Sequence, residues 1–422
     1  MILNYKFKNF MSFKEDVEFS MLAPKTKVKN RFPDNFVSSN TECDILKTAV
    51  IVGENAGGKS NFVRSIEYLK TFFKDNEVVR SYKGCININN VMDKCPKNYN
   101  SLQKFEIEIL IEDKGIYLYY LEVDIFGIVK EVLSFKEKYK QKYKTILFVE
   151  RKEKDMICKN EQENCEENKC KIGMKVGYVL DIPEFNSQME ELFGETIQKQ
   201  ANIGLFVSKI AMLGSEHAIK FTQWIKDNLC PETNVINYGI YRSFKNEEDD
   251  FRILNDKKYL EIFKMVDYSI IGIKIDEEKP YSKTQIIRKK EDGSIFVREL
   301  SRDSNGVIEF FAWATQIFRV VYENKVVFAD EMDRVLNPVL SDRVISFING
   351  KEHKGQFIFT THNVLHLDLK NYMKEQIYFV TKDAEKLESE MYSLADFPEI
   401  RYETTKIYEF YMKGILGGTA IE

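Results

Sequence analysis

The run Gly53-Glu54-Asn55-Ala56-Gly57-Gly58-Lys59-Ser60, followed by Asn61, puts glycines, a lysine and a hydroxyl at the spacing of a phosphate-binding loop. Glycines let the backbone curl so that successive N–H groups point at phosphate oxygens, and a following helix adds its positive end. In such a loop Lys59 reaches the β- and γ-phosphates and the Ser60 hydroxyl ligates Mg²⁺, so the expected ligands are ATP and Mg²⁺. Further along, Asp330-Glu331 closes the apolar run Val326 to Ala329, where a buried strand would otherwise avoid paired carboxylates. A bound cation accounts for them, with Asp330 orienting Mg²⁺ and Glu331 polarising an attacking water as general base. Gln356 to Thr361 is another short apolar run, and it ends at His362, one of only four histidines, placed to contact a γ-phosphate. Ser304-Asn305-Gly306 opens the apolar stretch Val307 to Val321. A serine–glycine turn at a helix start binds anions, and it is equally an ordinary N-cap.

These groups need elements to hold them. Ile45 to Val52 is a largely apolar run ending at Gly53, which predicts a buried strand feeding the loop. Lys59 to Phe73 follows with Phe62, Val63, Ile66, Leu69, Phe72 and Phe73 at helical spacing. Met1 to Phe19 reads as two short strands. From Gln103 to Val149 the period is two, with a turn at 112–115, which predicts an antiparallel β-lobe. Arg151 to Lys175 is dominated by charged and amide residues, as in a solvated loop. Ile182 to Tyr268 looks largely helical, with Phe206, Ile210, Phe221, Trp224 and Ile225 as buried positions. The chain between Lys59 and Asp330 is far too long for a compact GTPase-like switch, so a large insertion is required. The predicted division is 1–150 for the first part of an α/β head with its β-lobe, 151–266 for an inserted, mainly helical subdomain, and 267–422 for the rest of the head.

Composition bounds the function. At 422 residues, 44% hydrophobic and 30% charged, the chain is neither a small scaffold nor disordered. Seven cysteines and no hydrophobic leader at Met1 to Ser12 fit a reducing cytoplasm, and the longest apolar runs fall far short of the roughly 20 residues that cross a bilayer. Lys plus Arg (62) nearly balances Asp plus Glu (66), so no overall basic footprint marks a dedicated nucleic-acid binder. Cys158, Cys165 and Cys170 lie close together but lack the second pair and the histidine of a structural zinc site. Arg288-Lys289-Lys290 reads as a solvated hairpin tip before it reads as a nucleic-acid contact, and Gln103 is a weak candidate for a Mg²⁺-sensing glutamine.

The order of phosphate loop, serine–glycine signature, Asp-Glu strand and histidine resembles that of ABC-type ATPases, and "FKNFMSF", "GENAGGKSN", "DEMDRVLNP" and "FIFTTHN" are similar to blocks of the SMC, RecF and OLD branch. With "IYFVTKD", "YSLADF" and "YMKGILGG", the chain more narrowly resembles stand-alone bacterial phage-defence ATPases typified by AbiLi, RloA and the AriA subunit of PARIS. The resemblance implies an ABC-ATPase head, a P-loop mixed sheet flanked by helices plus the antiparallel β-lobe, with the helical insertion. It implies that two copies, or a higher homo-oligomer, sandwich ATP head to tail. Ser304, Asn305 and Gly306 would then grip the γ-phosphate held by the partner, with Asp333 to Asn337 at the same interface. The chain departs from the pattern at Val307, where threonine is usual, and at Asn337, where histidine is usual. OLD nucleases carry a Toprim domain after the ATPase, and the chain ends too soon after His362 for one, so a destructive activity is expected in a separate effector, a nuclease or toxin. The leading expectation is an ATPase that acts as sensor or scaffold of an antiphage system. The alternatives are a RecF-like DNA-repair or DNA-end-binding ATPase, with nucleic acid as direct ligand, and a nucleotide-gated module that barely turns over.

Overall fold

The computed structural model describes residues 1–422 except 39–42, 75–101, 112–114, 125–126, 138–141, 153–176, 186–188, 190, 192, 195–203, 233–246, 333–335, 384, 403–405 and 417–422. The described chain is mixed α/β and forms two compact units, each assembled from separated stretches. The first takes Met1–Ser20, Ala56–Leu229 and Thr381–Tyr392, and the second takes Met21–Asn55, Cys230–Val380 and Ser393–Glu422. The span 151–266 is therefore shared between them.

In the first unit, period-two alternation produces an antiparallel sheet in the order Gly177–Asp181, Lys144–Lys152, Gly127–Glu137, Gly115–Asp124, Gln103–Ile111, Ile2–Lys8, Val17–Ser20. Phe105, Ile107 and Ile109 point to one face and are fully buried. The helix Lys59–Lys74 buries the apolar stripe read from its spacing. Its Phe62 packs against Tyr5, Phe7 and Phe19, and its Phe73 against Tyr119 and Phe221. Each such ring contributes about 1.5–3 kcal/mol through burial alone, so the helix start that follows the loop is firmly seated. The helices Phe206–Met212 and Glu216–Asn228 bury Phe206, Ile210, Phe221 and Ile225 as expected. Trp224 does not join them and stays half-buried. The buried stripe of its helix runs through Ala218, Phe221, Thr222 and Ile225, and the 3.6-residue period turns position 224 to the edge of that stripe.

In the second unit, strands run in the order Leu229–Glu232, Val326–Ala329, Gln356–Thr361, Thr48–Gly53, Ile377–Lys382. The last four are mutually parallel and nearly continuous in apolar residues, as strands covered on both faces must be. The helix Asn305–Glu323 is buried through most of its length, with Trp313 edge-on to Phe357. Arg319 on that helix pairs with Asp250 at 2.7 Å and with Asp249 at 3.0 Å, and Tyr259 donates its hydroxyl to the Phe311 carbonyl. The helix Pro338–Gly350 and a small antiparallel sheet, Ile270–Lys274, Gln285–Lys289 and Ile295–Glu299, belong to the same unit. Among the described residues no helix is long and apolar enough to cross a membrane.

Candidate nucleotide site

Register decides where the acidic pair and the histidine emerge. Ala329 lies opposite Phe359 and Phe359 opposite Val50, while Thr361 lies opposite Val52 and Val380 opposite Gly53. Because these strands are parallel, Gly53, Asp330 and His362 leave the sheet at one edge, the carboxyl ends where ligands of open α/β sheets bind. Gly53 is required there by close approach, since a Cβ on it would stand 2.2 Å from the Val380 carbonyl oxygen. Glu54 is half-buried and Asn55 exposed as the chain turns out of the strand.

The acidic pair is held by a residue that sequence reasoning did not single out. Asp330 is 5% exposed, and its Oδ1 accepts a 2.7 Å hydrogen bond from the Thr360 hydroxyl. The same hydroxyl oxygen accepts the Glu331 backbone N–H at 2.8 Å. Glu331 has φ 49°, left-handed and unusual for a side chain of this type, so the turn out of the strand is sharp. Its carboxylate-bearing residue is half-buried, as is His362. Beyond the histidine, Thr361 Oγ1 accepts the Asn363 N–H (2.9 Å) and Asn363 Oδ1 accepts the Leu365 N–H (3.1 Å), which builds the turn that carries His362.

The rest of the loop lies in the first unit. Ala56 has φ 61° and Gly58 has φ 124°, so successive peptides curl in the way a phosphate cradle requires. Gly57, Gly58 and Lys59 are buried, while Ser60 and Asn61 are half-buried at the start of the helix. Two hydroxyls from distant parts of the chain brace the curl. The Ser389 hydroxyl donates to the Gly57 carbonyl at 2.6 Å and lies 2.8 Å from the Ser12 hydroxyl, which accepts the Asn61 side-chain amide at 2.8 Å. Gln103 is fully buried and donates to the Asn9 carbonyl at 2.9 Å, with its Oε1 unpartnered among the described residues.

Ser304, Asn305 and Gly306 are exposed at the N-terminus of the helix Asn305–Glu323, with Ser304 as N-cap residue and no side-chain cap bond. A Cβ on Gly306 would meet nothing within 4 Å, so open space fronts the turn. Asp303 Oδ1 accepts the Ser304 N–H at 2.9 Å, while its Oδ2 stands 2.7 Å from Arg288 Nη1, an ion pair outside hydrogen-bond geometry. Arg288 Nε also donates to Asp267 at 2.8 Å. The basic triplet therefore divides: Arg288 ties the small sheet to the serine–glycine turn, and Lys289 and Lys290 are exposed at the hairpin end. Val307, at the usual threonine position, is buried. Asn337, at the usual histidine position, caps its helix by accepting the Leu340 N–H at 2.9 Å. Residues 333–335 and Cys158, Cys165 and Cys170 lie outside the described residues.

Within the first unit, a curl that a Cβ at Gly58 would obstruct and a buried lysine at the helix start suit phosphate; within the second, a buried carboxylate oriented at a strand end suits a divalent cation. Residues 185–368 match the family described as AAA domain, putative AbiEii toxin, Type IV TA system. No curated protein matches the sequence significantly. Among solved structures, the SMC head domain from Thermotoga maritima is similar at 13% identity, over 93% of this chain and 98% of that one, with a TM-score of 0.38. The Smc head domain with an extended coiled coil, bound to the C-terminal domain of ScpA derived from Pyrococcus furiosus, is similar at 14% identity, over 93% and 96%, with a TM-score of 0.41. Over residues 185–368, less than half of the chain, this protein is thus similar to that AAA family, and the order of its motifs resembles that of ABC-type ATPases.

Proposed function

We propose that the protein binds and hydrolyses ATP with Mg²⁺, that nucleotide clamps two copies head to tail, and that this dimer acts as sensor or scaffold of an antiphage system with a separate effector. The reading rests above all on the register that brings Gly53, Asp330 and His362 to one sheet edge. Lys59 and the N–H groups of 53–60 neutralise and orient the phosphates, and Ser60 and Asp330 hold the metal, which supplies charge neutralisation of the phosphates when bound. Glu331 accepts the proton of the attacking water, and His362 contacts the γ-phosphate. The exposed turn Ser304-Asn305-Gly306 grips the γ-phosphate of the second copy, which its open front permits. The defence role draws its support from the matched family's description as a putative AbiEii toxin of a Type IV TA system.

The test joins two variants. Lys59→Ala is expected to lose binding of a fluorescent ATP analogue, and Glu331→Gln to retain it and elute as a dimer on gel filtration with Mg–ATP. A Glu331→Gln protein that stays monomeric with ATP bound overturns the sandwich. Plaque assays on cells expressing the wild type with its neighbouring reading frames, against the same cells carrying Lys59→Ala, test the defence role.

A further inference from the structure

Thr360 is fully buried next to the end of a strand whose centre, Phe357 to Phe359, is apolar, and a hydroxyl with no task there is unfavourable. A threonine hydroxyl offers one donor and two acceptor positions. Here the donor goes to Asp330 Oδ1 at 2.7 Å and an acceptor position takes the Glu331 N–H at 2.8 Å. One oxygen thus holds both residues of the acidic pair, by side chain in one case and by backbone in the other. The backbone bond matters because Glu331 sits at φ 49°, a conformation that a non-glycine residue keeps only when its surroundings enforce it. The bond fixes the peptide plane on the amino side of that torsion, so its loss frees the backbone to rotate and re-aim the Glu331 side chain. The adjacent Thr361 has a different task, since its hydroxyl accepts the Asn363 N–H in the turn after the histidine.

We propose that Thr360 is the positioning residue of the acidic pair, fixing the Asp330 carboxylate toward the metal and the left-handed backbone of Glu331 toward the water. The inference rests on the nucleotide reading of the same site. Hydrogen-bonded partners of metal ligands set ligand orientation, and their removal weakens metal affinity by about 10–100-fold.

Thr360→Val keeps shape and removes both bonds, whereas Thr360→Ser keeps the hydroxyl. Three measurements on the full chain separate the outcomes. Titration of Mn²⁺ in the presence of ATP, read by the loss of the free-ion electron paramagnetic resonance signal, is expected to show about tenfold weaker metal binding in Thr360→Val and near wild-type binding in Thr360→Ser. Hydrogen–deuterium exchange of the peptide covering Val326 to Met332 is expected to speed up in the valine variant alone. The rate of ATP hydrolysis at saturating Mg²⁺ is expected to fall in the valine variant while KM for ATP is little changed, because Lys59 and the loop amides are untouched. Metal affinity and exchange both at wild-type level in a folded Thr360→Val protein would refute the role of Thr360. A wild-type protein that binds no Mn²⁺–ATP refutes instead the nucleotide reading on which it rests.

Discussion

Gly58→Ala isolates the physics of the loop within one unit of the molecule. Gly58 holds φ 124°, and a Cβ there would stand 2.6 Å from Ser389 Oγ, 2.9 Å from Ser389 Cβ and 3.1 Å from the Phe13 ring. The backbone conformation costs an alanine about 1–3 kcal/mol. The overlap costs a further amount of about 1–3 kcal/mol, since Ser389 Cβ is anchored to a strand and Phe13 is fully buried. A loss of about 2–6 kcal/mol in unfolding free energy is expected, read as a lower urea midpoint at constant slope. Ser389→Gly alone removes the bond to the Gly57 carbonyl and costs about 1 kcal/mol. The double variant has room for the methyl group, so it is expected to be more stable than the sum of the single effects by about 1–2 kcal/mol. Strict additivity, or a Gly58→Ala midpoint equal to that of the wild type, would refute the packing argument. A fluorescent ATP analogue reports the same geometry through binding, with Gly58→Ala weaker than Ser389→Gly.

Two further perturbations test the supports. Glu131 is fully buried, accepting the N–H groups of Phe206 (2.7 Å) and Val207 (2.9 Å) and the Tyr119 hydroxyl (3.0 Å), and burial pushes its pKa up to about 7 from the ordinary 4.5 in spite of those bonds. The folded state then holds the proton more tightly than the unfolded chain. The resulting stability is fully present below about pH 4.5 and lost as pH rises through about 7, a swing of about 3 kcal/mol. Denaturation at pH 5 and pH 8 is expected to show this swing in the wild type and its loss in Glu131→Gln; an identical pH dependence in the two proteins counts against it. Arg288→Ala leaves the Asp303 carboxylate buried without its cation and is expected to cost about 3–5 kcal/mol, with Arg288→Lys recovering only part because one ammonium cannot span Asp267 and Asp303. Full stability in Arg288→Ala, measured by thermal melting, would remove Arg288 as the brace of the serine–glycine turn.

Much of the local structure was legible because its causes are local. The strands Val326–Ala329 and Gln356–Thr361 occur with the bounds read from their apolar runs, since a short unbroken run between polar residues has few alternatives to a buried strand. The helix after the loop begins at Lys59, where glycines give way to helix-forming residues with an apolar stripe. The β-lobe followed from strict alternation. Trp224 was misplaced because an aromatic at roughly helical spacing looks buried until the neighbouring Thr222 is seen to complete the stripe.

What the sequence determined by itself, then, is the order and spacing of the candidate phosphate- and metal-binding groups and the type of element under each. Only the tertiary structure decided that Val326–Ala329, Gln356–Thr361 and Thr48–Gly53 lie side by side in that order, and that Thr360 and Ser389 are the side chains gripping the acidic pair and the loop. A contact between Gly57 and Ser389 joins residues 332 positions apart. No period or spacing along the chain encodes such a pairing; it follows from which apolar faces exclude water against one another, and that is settled by the packed unit as a whole.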